Sequence, residues 1–231
     1  FTLKEAGYVY SRLTNPTVSA LQTRMAALEG GAGCTAAASG HAVQLTALFN
    51  LMRAGDEIVA SNRLYGGTTS QFKNSFVQFG WKAHLVDIDD HKAVEAAITA
   101  KTKAIYCESF ANPAGAVSDI EALAKIAHAH GIPLIVDNTV PTPVLMKPIA
   151  FGADLLKLLL PLCQQAIVFA PGEHPAGPEQ APRTHRQQSR QGQALHQLFI
   201  RQFWFVASTH GLLESQLIQG FKRYFSKGTK A

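Results

Sequence analysis

The chain of 231 residues is 47% hydrophobic and 16% charged, a globular composition that allows one large domain or two small ones and excludes a disordered polypeptide. No apolar run approaches the roughly 18 residues of a membrane span, and Phe1-Thr2-Leu3-Lys4-Glu5, with no initiator Met, reads as a start inside a longer chain and not as a secretory signal. The net charge of +5 is uneven: residues 1–156 hold 12 Lys and Arg against 13 Asp and Glu, residues 157–231 hold 9 against 3, and no nucleic-acid reader motif accompanies that basic tail.

In chain order, residues 17–29 place Val18, Leu21, Met25 and Leu28 at helical spacing before Gly30-Gly31. Residues 41–52 repeat the pattern and end near Gly55. Short apolar runs then alternate with helices. Glu57–Ala60 reads as a strand, 68–79 as a helix, Ala83–Val86 as a strand, 91–99 as a helix and Ala104–Glu108 as a strand. Residues 119–130 form an amphipathic helix through Ile120, Leu123, Ile126 and Ala127, and Pro133–Asp137 is a strand ending in a carboxylate. This alternation predicts an α/β fold, a mostly parallel sheet with helices on both faces. Ligands of such sheets sit at the carboxyl ends of the strands, where Glu108 and Asp137 fall.

Cys34, Cys107 and Cys163 have no paired spacing, which argues against a disulfide framework or zinc site and for a reducing cytoplasm. His128 and His130 stand two apart on a helix and face different ways, so they read as solvent-exposed, and no metal site is expected.

Four places carry candidate chemistry. Asp137, a carboxylate at the end of a buried strand, needs a partner. A protonated pyridine nitrogen is one; capping the turn through Asn138 and Thr139 is the alternative. Ser39-Gly40-His41 precedes a helix whose free N–H groups suit a phosphate, although Ser39 also reads as a plain N-cap. Tyr65 in Leu64-Tyr65-Gly66-Gly67-Thr68 could stack on a planar ring or lie on a surface loop. Tyr10 and Arg12, near Asn15-Pro16-Thr17, offer a phenol and a guanidinium, the latter suited to phosphate oxygens or to plain solvation.

The ordered run YSRLTNPT, LEGG, SGH, LYGGT, ESFANP and PLIVDNT resembles the transsulfuration, or Cys/Met metabolism, family of pyridoxal phosphate-dependent enzymes over residues 7–154. SGH, LYGGT and FANPAGAVSDIEALAKIAHAHGIPLIVDNTV look most like its O-acetylhomoserine sulfhydrylases. The resemblance implies the aspartate-aminotransferase-like (type I) fold, truncated, and a cytoplasmic transferase of methionine and cysteine biosynthesis. Its reaction would convert O-acetylhomoserine and sulfide to homocysteine and acetate. The resemblance also implies roles. Ser39, Gly40 and His41 would bind the cofactor phosphate, His41 standing where Gln or Met is usual. Tyr65 would stack on the ring, Asn112 lie near its hydroxyl, Asp137 pair its nitrogen and Thr139 support it, with Glu108 behind them. Tyr10 and Arg12 would reach the phosphate in a neighbouring subunit, which implies an obligate oligomer, usually a tetramer of two active dimers.

The likeness breaks after Gly152-Ala153-Asp154. The family continues through a Ser/Thr-rich turn to the lysine that holds the cofactor as a Schiff base; here LLKLLLPLCQQ follows and that lysine's place falls near Leu162. Lys157 comes too early and, on a strand, points from the strand and not from the turn. The expected organisation is therefore an incomplete cofactor-binding domain at 1–156, an aberrant basic Gln/Pro-rich segment at 157–207, and a C-terminal-domain remnant at 208–231. A frameshift, deletion or mis-joined reading frame would produce that change. The alternatives to an active sulfhydrylase are a catalytically dead cofactor-binding relative and a defective fragment.

Overall fold

The computed structural model describes residues 7–8, 10–11, 14–160 and 164–171. Arg12, Leu162 and the segment from 172 to 231, with the expected 208–231 remnant, lie outside the described residues.

Helix α1 (Pro16–Glu29) starts where Asn15 accepts hydrogen bonds from the Thr17 and Val18 N–H groups and ends at Gly30, whose φ of 75° glycine adopts without a Cβ penalty. Strand β1 (Gly33–Ala37) and helix α2 (Gly40–Leu51) follow, then β2 (Glu57–Ser61). The helix expected at 68–79 is a changing ramp: α3 (Gly66–Ser70) widens into a π turn at Gln71–Ser75 and tightens into a 3-10 turn at Phe76–Phe79. The change in pitch accompanies burial of both Phe72 and Phe76, whose rings stand 5.2 Å from Tyr106 and Trp81 respectively. Then come β3 (Lys82–Val86), α4 (His91–Ala97), β4 (Thr102–Glu108), α5 (Ile120–Ala129), β5 (Leu134–Asp137), α6 (Thr142–Leu145), β6 (Leu155–Leu160) and β7 (Gln164–Phe169).

The strands form one sheet in the order β1-β7-β6-β5-β4-β2-β3. β7 runs antiparallel to β1 and β6, and every other pairing is parallel. The sheet is thus mostly parallel, with helices on both faces, as the alternation predicts. Period-two side chains divide the core. Val59, Ile105, Val136 and Leu156 pack with α1 and α5 on one face; Ile58, Tyr106, Ile135 and Leu155 pack with α2 and the helical ramp on the other.

The boundary expected between 156 and 157 falls inside β6, and the sheet continues to Phe169. The two added strands hide in sequence because Lys157 interrupts one apolar run and Gln164-Gln165 opens the other; their pairing is tertiary. β1 hides for the same reason, its Gly and Ala residues having little strand preference of their own. His128, expected in solvent, is half-buried instead, its Nε2 3.0 Å from Asp154 Oδ2, which also accepts the Leu134 N–H. Among the described residues no His, Cys, Asp and Glu cluster suits a metal, and no helix is long and apolar enough to cross a membrane.

Candidate functional site

A cavity of about 290 Å³ opens at the carboxyl ends of β4 and β5. A larger one, about 610 Å³, lies at the opposite ends of these strands, by Thr99, Lys103 and Ile132. Chemistry favours the smaller, because buried ionisable groups converge there.

The floor of the smaller cavity is a row of charges. Parallel pairing sets Glu108 beside Asp137, and Asp137 beside Lys157, so three adjacent strands present −, − and + on one face. Lys157 Nζ donates to Asp137 Oδ2 at 2.6 Å, and both side chains are buried. Asp137 Oδ1 accepts from the Thr139 N–H at 3.1 Å and its hydroxyl at 2.5 Å. Turn capping by Thr139 and pairing with a cation therefore coexist on this carboxylate.

Glu108 binds two loops to the row. Its carboxylate accepts the Tyr65 N–H at 2.6 Å and the Asn112 N–H at 2.9 Å. Burial pushes its pKa up, the two N–H donors pull it down, and the Asp137 charge adds to the rise.

The wall is the start of α2. Ser39 Oγ caps it by accepting the Ala42 N–H at 3.1 Å, and Ser39, Gly40 and His41 line the cavity. The His41 ring stacks near Tyr65, with centroids 6.3 Å apart at 26°. Burial and the Lys157 charge lower the His41 pKa, favouring a neutral ring. Gly67 makes this approach possible: a Cβ there would meet His41 Cε1 and Tyr65 Cε1 at 2.7 Å.

Ser39, Gly40, His41, Tyr65, Asn112, Asp137 and Thr139 thus meet at one cavity, with Glu108 and Lys157. Tyr10 is exposed and not among the lining residues. Two neighbours escaped the sequence reading. Lys157, set aside as too early, does point from its strand, and that strand faces the cavity. Aligning the ends of the β5 and β6 runs would have exposed the pairing. Gln44, buried on α2, accepts the Tyr106 hydroxyl at 3.0 Å and meets Lys157 Nζ at 3.5 Å. Its only signal is a polar residue within the helix's apolar stretch.

The family model for Cys/Met metabolism PLP-dependent enzymes matches residues 1–157. The chain belongs to this family. O-acetyl-L-homoserine sulfhydrylase of Corynebacterium glutamicum is 47% identical over 157 residues, covering 68% of this chain and 36% of the relative. Homocysteine/cysteine synthase of Saccharomyces cerevisiae is 46% identical over 157 residues, covering 68% and 35%. L-methionine gamma-lyase of Pseudomonas putida is 46% identical over 156 residues, covering 68% and 39%. The chain therefore spans little more than a third of the length of these curated relatives. A solved Campylobacter jejuni protein, assigned as an O-acetylhomoserine (thiol)-lyase and carrying a pyridoxyl-lysine phosphate, superposes with a TM-score of 0.69 at 39% identity, covering 74% of this chain and 44% of that one. O-acetylhomoserine sulfhydrylase of Wolinella succinogenes gives 0.64 at 36%, covering 70% and 49%.

The family's pyridoxal phosphate can be tested against this cavity. The α2 N-terminus suits its phosphate and Tyr65 its ring face. The ring-nitrogen end does not fit: the oxygen of Asp137 that Thr139 leaves open already holds an ammonium.

Proposed function

We propose that this chain carries the cofactor-binding part of a pyridoxal phosphate-dependent sulfhydrylase of methionine and cysteine biosynthesis. The whole protein would join O-acetylhomoserine and sulfide to give homocysteine and acetate. One observation carries the reading: Ser39, Gly40, His41, Tyr65, Asn112, Asp137 and Thr139, far apart in sequence, line one cavity at the strand ends. The names of the sulfhydrylase relatives support the reaction, as does the resemblance of the SGH and LYGGT segments to O-acetylhomoserine sulfhydrylases.

In this reading pyridoxal phosphate would supply an electron sink. The chain's own residues bind and orient. The α2 N–H groups hold an anion, Tyr65 covers a planar ring, and Glu108 fixes the Tyr65 and Asn112 backbones at the rim. Thr139 orients Asp137. Tyr10 and Arg12 would serve a neighbouring subunit of an oligomer. Val144 and Leu145, 85% and 81% exposed on α6, support such an assembly.

A second reading, a relative that binds the cofactor without turnover, is favoured by the Lys157–Asp137 pair and by the lack of a lysine near position 162. Both are tested on the full chain, purified with pyridoxal phosphate, by homocysteine formation, by borohydride fixation and by sedimentation. Homocysteine release with a borohydride-stable lysine adduct supports the sulfhydrylase. Dialysable cofactor without turnover supports the second reading, and no cofactor binding sinks both.

A further inference from the structure

Both oxygens of Asp137 are engaged by the chain itself, Oδ1 by the two Thr139 donors and Oδ2 by the Lys157 ammonium at 2.6 Å. The geometry points to Lys157 as an in-chain counter-ion that holds the place on Asp137 which a protonated pyridine nitrogen would need, leaving the cavity indifferent to that nitrogen. The inference rests on the proposed function in one respect, that the cavity takes a phosphorylated pyridine.

Three observations make the pair hard to displace. Asp137 and Lys157 are register partners on neighbouring parallel strands, so their side chains leave the same face side by side. Lys157 follows Leu155 on the row that packs under α2, and its side chain is buried there. A buried ammonium there needs its carboxylate. Among the described residues a second acceptor, Gln44 Oε1 at 3.5 Å, already takes the Tyr106 hydroxyl at 3.0 Å. An entering pyridinium must therefore either strand the ammonium or stand beside it as a second cation on one carboxylate. Both are unfavourable at low dielectric. A ligand whose ring nitrogen carries no proton avoids the conflict, and its phosphate remains free to meet α2.

The test uses the full chain and two probes without an aldehyde: pyridoxine 5'-phosphate, and its analogue with CH in place of the ring nitrogen. Lacking an aldehyde, neither can condense with any lysine, so binding followed by calorimetry or tyrosine fluorescence reports the nitrogen alone. For the wild type the two affinities should agree within about threefold, as a nitrogen without a partner adds little. For Lys157→Met, which frees Asp137, pyridoxine 5'-phosphate should bind at least about tenfold more tightly, whereas the analogue should not. A wild type that prefers the pyridine by about tenfold or more, or a Lys157→Met that gains nothing for it, overturns the counter-ion role. Should Lys157→Met fail to fold, the two probes on the wild type decide. Failure of every folded protein to bind either probe overturns the cofactor reading itself, and the inference with it; discrimination by the wild type overturns the inference alone.

Discussion

Lys157 and Asp137 stand in register on adjacent parallel strands, Nζ 2.6 Å from Oδ2, both buried at the floor of the cavity. The pair bears on stability as well as on ligand choice. Removing the acid strands a buried ammonium, so Asp137→Ala should lower the unfolding free energy by about 3–5 kcal/mol. Asp137→Ala with Lys157→Met, which leaves no charge behind, should recover most of that loss. Urea denaturation of the two variants measures the coupling. A double variant no more stable than the single would show that the ammonium is not what makes the single change costly.

Glu108 organises the rim through two backbone donors, Tyr65 N–H and Asn112 N–H. Glu108→Ala leaves both without their acceptor and should cost about 1–3 kcal/mol for each group that finds no water. Hydrogen exchange should accelerate first at the Tyr65 and Asn112 amides. Uniform acceleration across β4 would instead mean that Glu108 supports the strand and not the rim.

Glu29 on α1 supplies a pH signature. It is buried, Asn138 donates to its Oε1 at 3.1 Å, and Oε2 has no hydrogen-bond partner among the described residues. Burial raises its pKa above the ordinary 4.5, against smaller lowering by Asn138 and Lys147. Above 4.5 the unfolded chain has released this proton while the folded one still holds it. The stabilisation is therefore complete below that value and is lost as pH rises through the raised native pKa. Unfolding free energies in urea from acid to neutral pH should fall for the wild type relative to Glu29→Gln, by at most about 1.4 kcal/mol per pH unit. Parallel profiles would remove Glu29 as the cause.

Gly31 tests whether β7 belongs to the folded sheet. A Cβ there would meet Val168 Cγ1 and, at 2.6 Å, the Phe169 carbonyl oxygen, so the β7 backbone would have to move. Gly31→Ala should lower stability by about 1–3 kcal/mol. Gly67→Ala meets first the His41 and Tyr65 rings at the cavity mouth and should cost less than about 1 kcal/mol, because those rings can turn away. Thermal melts of the two variants make the comparison, and equal melts would place β7 outside the cooperative core.

The sequence by itself determined the elements whose periodicity and caps are local. Asn15 and Gly30 bound α1, Ser39 starts α2, and the apolar runs of β4 and β5 end at Glu108 and Asp137. Strand alternation with helices then dictated a mostly parallel sheet, and the order of short motifs dictated the family. Tertiary structure alone decided three things. It made Gly33–Ala37 a strand, because the weak local preference of its Gly and Ala residues is overridden by pairing with Gln164–Phe169 across the sheet edge. It changed the pitch of the 68–79 helix, widening it into a π turn and then tightening it into a 3-10 turn, as Phe72 and Phe76 entered the core. And it set Lys157 against Asp137, residues 20 apart in sequence. Register between strands is a property of the sheet and of neither strand, so a lysine that looked misplaced along the chain is, across it, the partner of the carboxylate on which the site is built.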